Sequence, residues 1–307
     1  MTLDEFQPIP LTQCGPVDGG NFEYHWSGEF AKAHLLSDVG KKRKRNEDTC
    51  VLCVPQHREL LDKRGMLFAV ADGMGGANAG DFASHLALNV ILDEYFRGHA
   101  PTIPDALQNA LEEANRVVFA ESEVNPELRG MGTTVSLVLV RGDCAYIAQV
   151  GDSRVYVARE DERLFQITAD HSLVAEQVRN GFLSAEEARS HSLKNLITRA
   201  IGIKATVRVD LFAFRLQQQD TLLICSDGLS NQVKDDEIAD LMVIESIKAA
   251  GRTLVGRAIT QGGFDNITTV LLRITQPPPP YQFEPGIEEV FIPPSNFLRR
   301  VWRFLKT

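Results

Sequence analysis

Apolar and polar positions follow two different spacings along this chain. Short, β-branched apolar runs of strand length lie at 66–71 (MLFAVA), 134–140 (TVSLVLV), 144–150 (CAYIAQV), 154–158 (RVYVA), 221–225 (TLLIC) and 267–274 (ITTVLLRI), many with Gly, Asp or Asn at an end. Gly142-Asp143 and Asp152-Ser153 separate three of these runs in the manner of hairpin turns, which predicts neighbouring antiparallel strands. Helical spacing takes over at 80–96, where Phe82, Leu86, Val90 and Ile91 share a face. It recurs at 104–121, where Leu107, Leu111, Ala114 and Val118 do the same and Pro104 suits a first turn. Shorter helices are predicted over 235–245 and 250–261. Strands in hairpins, with two long helices inserted together, point to an α+β domain rather than a doubly wound parallel sheet.

The two ends lack this pattern. Residues 1–27 are polar, rich in Gly and Pro and without periodicity, and read as an irregular leader to a domain spanning 28–275. Pro277 to Pro280 can neither donate to a ladder nor continue a helix, so the domain is expected to stop near Ile274. Residues 276–307 then read as a linker and a basic patch, Asn296 to Lys306. In that patch Phe297, Leu298, Val301, Trp302 and Leu305 fall on one helical face among Arg299, Arg300, Arg303 and Lys306. Such a face suits docking on an anionic membrane or a partner, or packing on its own domain.

Length and charge narrow the classes. With 307 residues there is chain enough for one large domain, and 32 basic against 41 acidic residues leave a net charge of −9. That balance disfavours nucleic acid, whose binding relies on basic patches. No apolar run approaches the roughly 18 residues of a membrane span, and MTLDEFQPIP is not a secretory leader. The five cysteines are odd in number and read as reduced thiols of a cytoplasmic protein. Cys50 and Cys53 form a C-x-x-C, but Cys144 and Cys225 sit in apolar runs and supply no second pair. Two small side chains on a strand explain it better than zinc.

The candidate chemistry lies in acids at strand ends. Leu67–Ala71 runs straight into Asp72-Gly73, Leu222–Ser226 runs into Asp227-Gly228, and Asp265-Asn266 stands just before Ile267. Each alone is an ordinary turn, as Asp18-Gly19 is with no apolar strand before it. Together they place carboxylates alike, and gathered carboxylates imply either a cation between them or raised pKa values. Oxygen ligands suit Mg²⁺ or Mn²⁺ rather than zinc or copper. Upstream, residues 37–48 (SDVGKKRKRNED) read either as a solvated basic loop or as a phosphate clamp beside acids.

In order and spacing these elements resemble the bacterial form of the metal-dependent type 2C protein serine/threonine phosphatases, over most of 34–274. The matching stretches are Ser37–Gly40 with Arg43 and Asn46–Asp48, Phe68–Gly76, Gly130–Thr134, Val150–Arg154, Thr168–Ser172, Ile197–Gly202, Ser226–Leu229 and Asp265–Thr268. The resemblance implies a four-layer α-β-β-α sandwich of two antiparallel sheets flanked by helices, with a flap over about 174–195. It implies hydrolysis of phosphoserine and phosphothreonine in proteins by hydroxide held between two Mn²⁺ or Mg²⁺ ions, with no phosphoenzyme. Asp72 would bridge the two ions, the Gly73 carbonyl would bind one, and Asp227 and Asp265 would complete the second site. Asp152 with Asp227 would form a weaker third site. Arg43 would bind the substrate phosphate, and Glu47 and Asp48 would act through water. The histidine of animal members is Met74 here, leaving His171 as a candidate acid by residue type alone, and an acid of animal members is Asn231. The implied partners are phosphoproteins and an opposing bacterial Ser/Thr kinase, for a monomer. The rival readings are a catalytically silent binding module of the same fold and another phosphoester hydrolase such as a nuclease.

Overall fold

The computed structural model describes residues 11–75, 79–159, 164–276, 279–282, 284 and 287–290. Gly76 and the basic patch 296–306 lie outside them. Four strands, β1 (Leu11–Gly15), β2 (Phe22–Ser27), β3 (Ala31–Asp38) and β4 (Asp48–Val54), precede a short helix α1 (Arg58–Arg64). Strand β5 (Met66–Met74) leads to the long pair α2 (Ala79–Arg97) and α3 (Ile103–Val124). Next come β6 (Gly132–Thr133), β7 (Val135–Arg141), β8 (Cys144–Val150), β9 (Arg154–Ala158), β10 (Leu164–Gln166), α4 (Leu173–Arg179) and α5 (Ala185–Ser190). The described chain closes with β11 (Asp210–Arg215), β12 (Thr221–Cys225), α6 (Asp227–Ser230), α7 (Asp235–Met242), α8 (Ile247–Thr260), β13 (Ile267–Ile274) and β14 (Glu288–Glu289).

These strands form two sheets. One runs β1-β4-β5-β7-β8-β11-β14 with β6 added on β5, and the other runs β10-β9-β12-β13-β3-β2. Neighbours are antiparallel except β11 and β14. Three apolar layers hold the stack together. Leu52, Phe68, Val70 and Ile147 of the first sheet meet Leu35, Val157, Ile224 and Val270 of the second in the central layer. The other face of the first sheet packs on Ala83, Ala87, Ile91, Leu107, Leu111 and Val118 of α2 and α3. The other face of the second packs on Ile238, Met242, Leu254 and Val255 of α7 and α8. The inner strands are therefore buried on both faces and read as unbroken apolar runs rather than alternating ones. This is the four-layer architecture expected.

Several expectations shift in detail. Gly142-Asp143 is a hairpin, since Arg141 pairs with Cys144. Asp152-Ser153 is not one: β8 and β9 belong to different sheets, and the link crosses from one to the other. Turn chemistry marks where a strand ends, not which sheet comes next. The leader is not irregular throughout either. β1 pairs with β4 and β2 with β3 at sheet edges, where single-sided burial permits a polar, alternating strand. Beyond the prolines the chain returns to the domain. Tyr281 stacks on the Arg141 guanidinium at 4.1 Å, Glu284 pairs with Arg141 at 2.8 Å, and β14 adds to β11. In α2 the buried line is Ala83, Ala87 and Ile91, while Phe82 stays 43% exposed, so the helix packs on the sheet through small alanines rather than through Phe82. Cys50 faces the central layer and Cys53 the outer one, as residues three apart on a strand must, so the pair cannot grip one ion. Among the described residues no helix is long and apolar enough to cross a membrane.

Candidate active site

Four strand ends meet at one rim of the sandwich. Asp48 opens β4 and pairs across the ladder with Asp72 near the end of β5. β12 runs out into Asp227, and β13 starts just after Asp265. Close backbone approach brings these turns together. A Cβ on Gly228 would lie 1.9 Å from the Asn266 carbonyl oxygen, and one on Gly73 would lie 2.1 Å from that of Gly80. Only glycine fits at either place.

Side-chain amides and hydroxyls fix the geometry. Asn266 accepts from the Glu47 amide at 2.9 Å and donates to the carbonyls of Val39 and Arg45, both at 3.0 Å, so it ties the 39–47 loop to Asp265. The Asp72 amide donates to Thr134 Oγ1 at 3.1 Å, and Thr133 Oγ1 donates to the Asp72 carbonyl at 2.9 Å. Thr134 Oγ1 also bonds Ser153 Oγ at 2.7 Å, which locks the Asp152 turn to the Asp72 strand. These anchors were not assigned roles from sequence. Their only signal is the position of small hydroxyl and amide residues inside otherwise apolar motifs.

Asp72, Gly73, Asp227 and Asp265 line one cleft of about 730 Å³ with Arg43, Glu47 and Met74. Arg43 stands among the acids, 2.9 Å from Asp265 Oδ2 and 3.6 Å from Glu47. Asp152 sits beyond Asp227, and the two share a second cavity of about 410 Å³ with Asn231. Asn231 Nδ2 donates to Asp227 Oδ2 at 2.9 Å. Asp48 does not line either cavity: its Oδ2 accepts from Ser226 Oγ at 2.8 Å and Thr268 Oγ1 at 2.6 Å, so it braces two turns directly through protein hydroxyls. His171 is buried between the Gly151 amide, which donates to Nδ1 at 3.0 Å, and Asp210, 2.9 Å from Nε2. It pins the loop and does not reach the cleft.

The acids are electrostatically overloaded. Burial, then repulsion from Asp48, Asp227, Asp152 and Asp265, pushes the Asp72 carboxyl well above the usual range. Burial and Asp265 raise Asp227 to about 6, and burial raises Asp48 to about 7 against the hydroxyls that favour its charge. Asp152 is raised likewise by burial and Asp227, and its Oδ1 is buried without a hydrogen-bond partner. An all-oxygen set of mutually repelling carboxylates with an orphaned buried oxygen fits hard divalent cations. No three acidic, histidine or cysteine side chains among the described residues already stand as a closed cage. Arg43 supplies the counter-charge to Asp265 and Glu47, and Arg154 acts on Asp152 and Asp227. Burial raises the Cys225 thiol to about 12 and leaves it in the core, not poised as a nucleophile.

Helices α4 and α5, the latter opened by a Ser184–Glu187 capping box, span the segment expected as a flap, and α4 lines the second cavity through Val174, Ala175 and Val178. The acid-bearing cleft is lined instead by the stretch from Asn195 through Arg208, past the boundary at 195 expected from sequence. Arg43→Lys should keep the charge but lose the planar fork. A rise of about tenfold in KM for a phosphopeptide is expected, from the loss of one charge-assisted hydrogen bond. Steady-state kinetics at saturating Mn²⁺ would measure it, and an unchanged KM would remove Arg43 from phosphate binding.

Known proteins resemble the chain over most of its length. The family model for protein phosphatase 2C matches residues 41–257. The chain is similar to a serine/threonine phosphatase of Listeria innocua, 38% identical over 247 residues that cover 78% of this chain and 94% of that protein. It is also similar to the protein phosphatase PhpP of Streptococcus pneumoniae, 35% identical across 79% of this chain and 97% of the relative. Among solved structures, a Mycobacterium tuberculosis serine/threonine phosphatase superposes with a TM-score of 0.70 at 33% identity, covering 81% of this chain and all of that one. The catalytic domain of the phosphatase PstP in complex with two manganese ions superposes with a TM-score of 0.68 at 31% identity, covering 80% of this chain and 99% of that one. By the reach of the family model and the identity of these relatives, the chain belongs to the protein phosphatase 2C family.

Proposed function

We propose that Asp72, Asp227, Asp265 and the Gly73 carbonyl hold two divalent cations, Mn²⁺ or Mg²⁺, that Asp152 and Asp227 hold a weaker third, and that Arg43 receives the substrate phosphoryl group. The reaction is the metal-dependent dephosphorylation of serine and threonine in proteins. One observation carries the site assignment: acids from separate strand ends line one cleft with the arginine that opposes them. The manganese ions of the PstP domain support the choice of metal.

Bound cations supply the positive charge that acidifies water and neutralises phosphoryl oxygens. The chain's own residues do the rest. Asp72, held at both its amide and its carbonyl by Thr133 and Thr134, keeps its carboxylate at a fixed place in the cleft. Arg43 offers a planar donor fork to phosphoryl oxygens once released from Asp265. Glu47, its carboxyl raised by burial, sits 3.6 Å from Arg43 and aims it. Met74 places an apolar group in the cleft where animal members carry a histidine, so no side chain at that position protonates the leaving oxygen. The substrates we propose are the products of a Ser/Thr protein kinase.

A phosphothreonine peptide assayed with Mn²⁺, with and without chelator, tests this beside Asp227→Asn. Chelator-sensitive turnover that the variant loses by about 10²-fold or more is expected. Equal turnover by the variant would end the assignment. Binding without turnover would favour a silent module, and cleavage of nucleic acid in place of peptide a nuclease.

A further inference from the structure

The wall opposite the acids has a charge pattern of its own. Within 194–208 stand Lys194, Arg199, Lys204 and Arg208 and no acidic residue, in a chain of net charge −9. Arg199, Lys204 and Arg208 line the same cleft as Asp72, Asp227 and Asp265. Their availability differs. Arg199 is committed to Asp210 at 2.7 Å and also lies 3.0 Å from His171. Lys204 is exposed, and among the described residues no ion pair involves it. The Arg208 side chain is 82% exposed, and among the described residues its one ion pair is a 3.6 Å contact to Asp210. On the same cleft wall Leu196 and Ile203 remain 50% and 43% exposed. Exposed cations beside apolar footing suit an extended polypeptide. They add nothing that a lone phosphate already held by Arg43 would need.

We infer that Lys204 and Arg208 select phosphoprotein segments with acidic residues flanking the phosphorylated side chain. The inference rests on the proposed cleft and names the substrate class that it prefers. Acidic flanks are attracted by the exposed Lys204 and Arg208 charges on the cleft wall, whereas basic flanks are repelled there. Both cations are exposed, so each contact is modest and screened by salt.

The test uses the full chain with Mn²⁺ and two phosphothreonine peptides of equal length, one flanked by Asp and Glu, the other by Lys and Arg. An aryl phosphate is run beside them. The acidic peptide is expected to show about three- to tenfold higher kcat/KM at low salt, narrowing towards parity near 0.5 M salt. Lys204→Glu with Arg208→Glu should invert the preference. Equal rates for the two peptides, or a preference that survives the double charge reversal, would overturn the inference. Turnover of the aryl phosphate with neither peptide cleaved would overturn the protein-substrate reading itself. No turnover of any of the three would overturn the proposed site.

Discussion

Asp72→Asn should lower kcat/KM on a phosphothreonine peptide by about 10²–10³-fold while making the metal-free protein more stable. The two effects share one cause. Asp72 is half-buried at the cleft beside Asp48, Asp227 and Asp152, and each negative charge there raises the free energy of the others. An asparagine of the same shape removes a charge that is both desolvated and repelled. A gain of about 1 kcal/mol corresponds to roughly 2–4 °C in Tm for a domain of this size. The pH dependence has a definite sign. Asp227 at about 6 and Asp48 at about 7 are raised above the unfolded carboxyl value near 4, so the native state holds protons that the unfolded chain has released. That stability is fully present below about pH 4 and is lost as pH rises through 6 to 7. Cation binding needs the deprotonated carboxylates, so stabilisation by Mn²⁺ should grow across the same window. Melting curves in chelator and in Mn²⁺ between pH 5 and 8 would read both trends. A variant that keeps the full Mn²⁺ shift would remove Asp72 from the metal site, and a chelated wild type that gains stability from pH 5 to 7.5 would overturn the raised carboxyls of Asp227 and Asp48.

Much of this was legible because inner strands and catalytic turns obey local rules. Leu67–Ala71 and Leu222–Cys225 are buried on both faces, so their apolar runs stand out, and the acids follow at once. What escaped was set by tertiary context. Nothing local tells that Asp152-Ser153 crosses between sheets, because the decisive bond, Thr134 to Ser153, joins residues from different turns. Strands β1 and β2 escaped because an edge strand with one covered face can be polar. Asp48 looked like a partner through water, yet Ser226 and Thr268, 178 and 220 residues away along the chain, reach it directly. The role of the cationic stretch 194–208 escaped too, because only the fold places it in the cleft with the acids.

Arg159→Ala should destabilise the protein by about 3–5 kcal/mol without touching the active site. Arg159 follows β9 and Asp220 precedes β12, at the end of that strand opposite Asp227. Their side chains are 2% and 0% exposed and joined by two hydrogen bonds of 2.8 Å. Arg159 also donates to the Arg215 carbonyl at 2.9 Å, and Asp220 accepts from the Gln217 amide at 2.8 Å. Removing the guanidinium strands a carboxylate in the interior, and desolvation then costs more than any single contact had contributed. The loss is a large share of the 5–15 kcal/mol that holds a typical domain together, and a fall of about 10 °C in Tm is expected. Arg159→Met combined with Asp220→Leu removes both charges and should recover most of it. The solvent-facing pair Arg97–Asp93, 76% and 62% exposed, is the contrast: its alanine variant should stay within about 0.5 kcal/mol of wild type. Urea unfolding of the four proteins, with phosphopeptide turnover at 20 °C as a check on the intact site, would measure this. A single variant no less stable than the double variant would show that the cost lies in lost packing around Arg159 and not in the stranded charge.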